Sequence, residues 1–130
     1  FISAPIVRDN AGLALSSRNI LLKETSRNLA AELFNTLKIF GFHLLRGDSE
    51  ILSLSKARKH IMSFDSILLD YLVVLDAETF ESLNEETREF YVLIAATIDG
   101  VRLIDNIRIE KKSGEYHLDL GLNLLGEEIE

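Results

Sequence analysis

The sequence has 130 residues, 47% of them hydrophobic and 27% charged, which is the size and composition of one globular folding unit. It has no cysteine, so disulfide bonds and thiolate metal sites are excluded together. The formal net charge of -7 argues against broad binding to nucleic-acid phosphates, which requires clustered Lys and Arg. No apolar run reaches the roughly 18 to 20 residues that span a bilayer. We therefore expect neither nucleic acid nor membrane as a partner.

The amino-terminal stretch combines an extended segment with a polar loop. Phe1 to Val7 is short and apolar and carries no charged leader, so we expect it to come from the middle of a larger protein. Arg8 to Asn19 is predicted to be a loop. Within it, Asp9-Asn10-Ala11-Gly12 is a turn signal, and Ser16-Ser17-Arg18-Asn19 is a small polar cluster.

Two helices are predicted next. Between about Glu24 and Arg46, apolar residues recur at helical spacing: Leu29, Leu33, Leu37, Phe40 and Leu44. Asp48 or Ser49 can cap a second helix after Gly47. Its predicted apolar face comprises Ile51, Leu54, Ala57, Ile61 and Phe64.

After Asp65 the pattern changes to strands. Ile67 to Leu75 and Phe90 to Ile98 are apolar runs, and Asp99-Gly100 is a hairpin signal that leads into Val101 to Ile104. Between the first two runs, the chain is predicted to make a turn-rich excursion.

The tail offers a further hairpin, in which Ile107 to Ile109 turns at Ser113-Gly114 into Tyr116 to Leu118. Helices followed by antiparallel strands predict an α+β fold. We expect two amino-proximal helices packed on a small antiparallel β-sheet of about three strands, which the tail can extend.

Ser16, Ser17 and Arg18 form the most concentrated polar signature. Hydroxyl and backbone N–H groups donate to phosphate oxygens, a following helix adds favourable partial charge, and a guanidinium grips two oxygens at once. Such a group would stabilise the charge that builds on a departing pyrophosphate. The same residues before a helix are also common as plain capping residues. The spacing alone leaves both interpretations open.

The other polar residues favour structural roles. His43, His60 and His117 have no carboxylate at a metal-ligand spacing that stands out, so we expect surface or boundary positions and no metal site. Carboxylates near the ends of the predicted strands are expected to cap turns: Asp70, Asp76, Asp99 and Asp105.

Several segments, in consistent order, resemble the carboxy-terminal domain of the pantothenate synthetases. Pro5-Ile6-Val7-Arg8 and then Gly12 to Asn19 resemble the signature that opens that domain. Further matches follow in Asp70-Tyr71-Leu72, Ala95-Ala96 and Gly100 to Asn106. The likeness divides the chain into a domain over residues 1–106 and an extension over residues 107–130.

The resemblance implies a lid domain of an ATP-dependent ligase that condenses pantoate with β-alanine through pantoyl adenylate. Val7 would contact the nucleotide through its backbone, Leu15, Ser16, Ser17 and Arg18 would bind the ATP phosphates, and Arg18 would counter charge on the leaving pyrophosphate. A Rossmann-like amino-terminal domain would hold pantoate and most of the ATP, which Mg²⁺ accompanies. The parent would be a cytoplasmic homodimer, and this chain alone would be inactive.

Some residues depart from the family pattern or take structural roles within it. Ala11 stands where the family has an aspartate, so the turn is expected to lose an acidic cap, and Lys23 replaces a helix-capping serine. Arg102 and Asp105 are interpreted as an ion pair or as turn anchors. The alternative hypothesis is a non-catalytic α+β interaction module whose serine–arginine loop only caps a helix.

Overall fold

The computed structural model describes residues 6–14, 24–121 and 127–129. Within these ranges three helices precede four strands: α1 (Glu24–Ala30), α2 (Glu32–Leu45), α3 (Glu50–Met62), β1 (Ile67–Asp76), β2 (Glu89–Ile98), β3 (Val101–Lys112) and β4 (Glu115–Asp119). The strands form one antiparallel sheet in the order β1-β2-β3-β4. The predicted α+β class is confirmed, and the tail hairpin adds a fourth strand to the three expected.

The first predicted helix is divided at Ala31 into α1 and α2. The backbone of Ala31 stays right-handed helical, with φ -60° and ψ -18°. Its N–H donates to the carbonyl of Arg27 at 3.1 Å, and its carbonyl accepts from Asn35 at 3.2 Å. The division is therefore a local irregularity, and α1 with α2 forms the first of the two expected helical units.

Helix α3 begins at the predicted cap, because the hydroxyl of Ser49 accepts a hydrogen bond from the Leu52 N–H at 3.1 Å. Its predicted apolar face is wrong at Ile51, which is 85% exposed. The buried stripe follows the four-residue spacing of Ser53, Ala57 and Ile61. A residue two positions before Ser53 lies on the opposite side of a helix, because successive residues turn by about 100°.

The core lies between α2, α3 and one face of the sheet. Alternate strand residues point to opposite faces, and those of β2 and β3 that point to the helices are almost all apolar and buried: Phe90, Val92, Ile94, Ala96, Ile98, Leu103, Ile107 and Ile109. Helix α2 packs a matching set against them: Leu33, Leu37, Phe40 and Leu44. Asp105 occupies an inward position in the middle of this apolar series.

Strand β1 forms one edge of the sheet, and Arg58 of α3 covers part of that edge. Its Nη2 donates to the carbonyl of Leu72 at 3.0 Å. Asp70, which we expected to cap a turn, lies inside β1, where the pairing register with β2 shifts. There its carboxylate pairs with Arg102 at 2.6 Å on the exposed face of the sheet. A side-chain donor and a register shift both make an edge strand a poorer template for another strand.

Candidate functional site

Of the residues predicted to bind ATP, only Val7 lies within the described residues. Leu15, Ser16, Ser17 and Arg18 lie outside the described residues. Val7 lies inside and is half-buried. The segment that links Val7 to the loop is described as far as residue 14, so its geometry defines the base from which the loop departs.

Residues 8–14 form a small closed turn. Arg8 and Ala14 form an isolated antiparallel bridge. Between them, the N–H of Gly12 donates to the carbonyl of Asp9 at 3.0 Å, and the N–H of Asp9 donates to the carbonyl of Leu13 at 3.0 Å. The turn predicted over Asp9 to Gly12 is confirmed, and the bridge fixes the two ends of the segment beside each other.

The carboxylate of Asp9 caps this turn from within. Its Oδ1 accepts hydrogen bonds from the N–H groups of Ala11 and Leu13, each at 2.9 Å. The expectation that alanine at position 11 leaves the turn without an acidic cap is therefore wrong. An aspartate at the first turn position satisfies the backbone donors that follow it, as such residues commonly do.

Position 12 requires glycine because of its backbone conformation and because there is no space for a side chain. Its φ of +92° lies in the left-handed region that glycine adopts without a steric penalty. A Cβ atom at this position would lie 2.5 Å from Cδ2 of Phe34 on α2. The turn therefore lies directly on the aromatic ring, with no room for a side chain between them.

Arg8 is fully buried, with 0% of its surface exposed. Its guanidinium donates to three backbone carbonyls: Nε to Leu120 at 2.6 Å, Nη1 to Gly12 at 3.2 Å and Nη2 to Asn106 at 3.1 Å. These carbonyls belong to the segment after β4, to the turn and to β3. One side chain thus joins three parts of the chain that are far apart in sequence.

The charge of Arg8 is balanced by Asp105 of β3. Nη1 and Nη2 donate to the two carboxylate oxygens at 2.6 and 3.1 Å, and the two side chains are 0% and 4% exposed. The ring of Phe34 covers the guanidinium, with its centroid 3.7 Å from Cζ. Burial raises the pKa of Asp105, while the hydrogen bonds and charge of Arg8 act in the opposite direction. Removing one partner of such a pair costs about 3–5 kcal/mol, because the other is left as an uncompensated buried charge.

The expected ion pair between Arg102 and Asp105 is wrong, and Asp105 does not cap a turn, because it lies inside β3. The two side chains do not pair with each other, because Asp105 faces the core and Arg102 faces the outside of the sheet, where it meets Asp70. Sequence reasoning missed Arg8 as the partner of Asp105. The available signal was the alternation in β3, where an aspartate at an inward, otherwise apolar position requires a buried cation.

One histidine of α2 and one of α3 each contact a carboxylate. His43 Nδ1 is 2.9 Å from Asp48 Oδ2, and His60 Nε2 is 3.0 Å from Glu32 Oε1. In the parts of the chain that the structure describes, no three His, Asp or Glu side chains lie close enough together to hold a metal ion. None of the helices described has the length and apolar character of a membrane span.

Comparison with known proteins gives a consistent result. The sequence model of the pantoate-beta-alanine ligase family matches residues 1–108. The chain is 38% identical to the pantothenate synthetase of Thermotoga petrophila over 106 residues, which is 81% of this chain and 38% of that protein. It is 36% identical to the pantothenate synthetase of Chloroherpeton thalassium over 113 residues, or 84% of this chain and 40% of that protein.

The fold agrees with this match. The crystal structure of the pantothenate synthetase from Thermus thermophilus superposes with a TM-score of 0.75 at 30% identity, over 81% of this chain and 38% of that one. The chain thus spans about two fifths of the length of the relatives it matches. The family match runs over the turn at residues 8–14, the helices, and β1, β2 and most of β3. The chain belongs to the pantoate-beta-alanine ligase family.

Proposed function

We propose that the chain is the carboxy-terminal lid domain of an ATP-dependent ligase that condenses pantoate with β-alanine. The observation that carries this proposal is the family match over residues 1–108, which includes the whole Ser16 to Arg18 loop and the turn that leads into it. The described segment ends at Ala14, two residues before Ser16, and is bonded to the sheet through Arg8. A rigid base of this kind is what a preorganised phosphate-binding loop needs.

The reaction proceeds in two steps. A carboxylate oxygen of pantoate attacks the α-phosphorus of ATP, the bond to the β-phosphate bridging oxygen breaks, and pyrophosphate leaves with the electron pair. The amine of β-alanine then attacks the acyl carbon of pantoyl adenylate, AMP leaves, and the amine loses a proton as the amide forms. Negative charge builds on the departing pyrophosphate in the first step.

The roles of the loop residues follow from that charge. Ser16 and Ser17 donate hydroxyl hydrogen bonds to phosphate oxygens, and the guanidinium of Arg18 binds the oxygens of the leaving group. Leu15 precedes them in the loop, and the backbone of Val7 contacts the nucleotide. Donors that meet charge only as it develops raise the rate more than they raise substrate affinity.

The remaining components lie outside this chain. A Rossmann-like amino-terminal domain holds pantoate and the adenosine of ATP, and the domain described above closes over the phosphates. Mg²⁺ enters with ATP as part of the substrate, bound by phosphate oxygens. The intact enzyme is a cytoplasmic homodimer.

Replacement of Arg18 tests the proposal. In the full-length enzyme, we expect Arg18→Ala to slow pantoyl-adenylate formation by about 10²-fold or more, the usual loss for one transition-state donor, with little change in the dissociation constant of ATP. Rapid-quench measurement of pyrophosphate release gives the rate, and titration with a non-hydrolysable ATP analogue gives the affinity.

The matched control is Arg46→Ala, which removes an exposed arginine at the end of α2. This variant is expected to keep the wild-type rate. An unchanged rate in Arg18→Ala would remove Arg18 from the mechanism and leave the serine–arginine loop as a helix cap, as the interaction-module hypothesis holds.

A further inference from the structure

We propose that Arg8 and Asp105 act as a pair of positioning residues that hold the Ser16 to Arg18 loop in register with the ATP phosphates, without touching the substrates themselves. The inference rests on the proposed function and extends it to two residues buried in the body of the domain. It is carried by the contacts of the Arg8 guanidinium on three segments and by the closed turn that follows it.

The guanidinium of Arg8 holds the turn against the sheet. It binds both oxygens of Asp105 and the carbonyl of Asn106, both residues of β3, a strand in the interior of the sheet. It also binds the carbonyl of Leu120 beyond β4 and that of Gly12 in the turn. The orientation of the turn relative to the sheet is therefore set by one planar fork, whose hydrogen-bond directions are fixed.

The turn connects Arg8 to the start of the loop. The bridge between Arg8 and Ala14 joins the two ends of the turn, so Ala14 cannot move relative to Arg8 without breaking it. Ser16 lies two residues further on, within about 7 Å at full chain extension. A shift of the turn therefore moves Ala14, the point from which the loop departs. Misplacement by about 1 Å is enough to cost about 10²-fold in rate.

The charge of the Arg8–Asp105 pair is not explained by stability alone. A buried ion pair is weak evidence for stability, since apolar residues of similar volume often replace one without loss. Leu103 and Ile107, which flank Asp105 on the same face of β3, are apolar. A hydrophobic residue at position 105 would fill the core but would not define the direction of the turn. The hydrogen bonds of the Arg8–Asp105 pair fix the direction of the turn.

The experiment uses the full-length enzyme with Asp105→Asn, which keeps the shape of the side chain and one acceptor oxygen, and with Arg8→Lys, which keeps the charge and loses the fork. Both are expected to lower the single-turnover rate of pyrophosphate release by about 10- to 100-fold. The dissociation constant of the ATP analogue is expected to stay within about threefold of the wild-type value, because most of the nucleotide is held elsewhere. The control is Asp70→Asn, which breaks the exposed pair with Arg102 on the other face of the sheet and is expected to retain the wild-type rate.

A double variant separates positioning from mere stability. If Asp105 acts through Arg18, then Asp105→Asn adds at most about threefold to the loss already caused by Arg18→Ala, because effects of residues that act as a unit are not additive. A purely structural role lowers the amount of active enzyme equally in both backgrounds. Losses that multiply in the double variant therefore overturn the inference, as does an unchanged rate in a folded Asp105→Asn enzyme.

A second pair of variants covers the case in which the buried substitutions do not fold. Asp9→Ala removes the oxygen that caps the turn, whereas Asp9→Asn retains an oxygen at that place. We expect the alanine variant to lower the rate and the asparagine variant to preserve it, and equal rates in the two overturn the inference. Failure of Arg18→Ala to slow the reaction contradicts the proposed function itself. A slow Arg18→Ala enzyme beside wild-type rates in the folded Asp9 and Asp105 variants contradicts only the positioning role.

Discussion

Asp76, at the end of β1, organises the excursion between the first two strands. Its Oδ1 accepts from the N–H groups of Glu78 and Thr79 at 2.8 and 3.2 Å, and its Oδ2 accepts from the Thr87 hydroxyl at 2.7 Å. Thr87 is itself buried, at 4% exposed. The hydrogen bond from Thr87 is the main cause that lowers the pKa of Asp76, followed by the bond from the Glu78 N–H, while burial opposes them. Here the expected turn-capping role of a strand-end aspartate is confirmed.

The lowered pKa makes the stability of this region depend on pH. A carboxylate whose pKa is lower in the folded state stabilises the fold above its unfolded pKa, and this contribution is lost as the pH falls through the folded pKa. We expect Thr87→Val to lower the melting temperature at pH 7, because the folded carboxylate loses its strongest donor. The difference in melting temperature between Thr87→Val and the wild type is expected to narrow as the pH falls below the ordinary aspartate pKa of 3.8.

Circular-dichroism melts of the chain between about pH 7 and about pH 2.5 measure this dependence, since they span the range in which the carboxylate titrates. Thr97→Val is a suitable control, because Thr97 lies at the other end of β2, opposite Arg102, far from the turn that Asp76 caps. A melting difference for Thr87→Val that stays constant over the whole range would show that Asp76 is not the titrating group.

The partner of Asp105 was not predicted from the sequence. That partner, Arg8, lies 97 positions away in the chain, so no local spacing joins the two residues. Alternation in the strand marks position 105 as inward-facing, and an inward carboxylate requires a cation. The identity of that cation depends on how the amino-terminal segment crosses the sheet, which a local pattern does not contain. The resemblance to the family signature identified Ser16 to Arg18 as candidate loop residues. The buried pair of Arg8 and Asp105 was identified only from the fold.

Among the elements, α2 and β4 approach each other unusually closely. Gly41 lies in the interior of α2, where glycine costs about 1 kcal/mol relative to alanine. A Cβ on Gly41 would lie 2.7 Å from Cδ1 of Leu118 in β4. Glycine in the helix thus gives the tail strand room to pack on the helix backbone, which links an unfavourable helix residue to the fourth strand.

This contact predicts a non-additive pair of substitutions. In a Leu118→Ala background, Gly41→Ala is expected to raise the free energy of unfolding by about 1 kcal/mol, through helix propensity alone. In the wild-type background the gain is expected to be smaller or reversed, because Leu118 must move to admit the methyl group. Urea unfolding of the two single variants and the double variant measures the coupling. Equal effects of Gly41→Ala in both backgrounds would contradict the close packing of α2 on β4.

The elements themselves were the most predictable part of the structure. Helical spacing and β-branched runs are local properties, and they predicted both helical units, β1, β2 and β4 close to their observed positions. Strand β3 runs without a break over Val101–Lys112, although the sequence predicted separate segments at Val101 to Ile104 and Ile107 to Ile109. The errors lie where tertiary contacts decide which residues are buried. Ile51 is an example, because the sequence assigns it to the core and the structure leaves it exposed to solvent. The turn-capping role expected for Asp70 was wrong for a related reason, since its register shift and its ion pair with Arg102 depend on how β1 joins the sheet.

For the whole molecule, charge distribution limits what the chain can bind on its own. The sequence has 14 Lys and Arg against 21 Asp and Glu. Several arginines are held by carboxylates: Arg8 by Asp105, Arg102 by Asp70, and Arg108 by Glu89 and Asp119. A tetraanion such as ATP therefore meets a mostly negative surface, and the proposed loop offers only a few compensating donors.

We accordingly expect the chain in isolation to fold but to catalyse nothing. Circular dichroism should show a cooperative melt, because the core between α2, α3 and the sheet is continuous. Isothermal titration with MgATP is expected to give a dissociation constant of about 1 mM or weaker, which corresponds to about 4 kcal/mol of binding free energy or less. Incubation with pantoate, β-alanine and MgATP should release no AMP, since the adenosine and pantoate sites are proposed to lie in the other domain, and full-length enzyme under the same conditions provides the positive control. Turnover by the isolated chain would place the catalytic site within these 130 residues and would contradict the assignment of this domain as a lid.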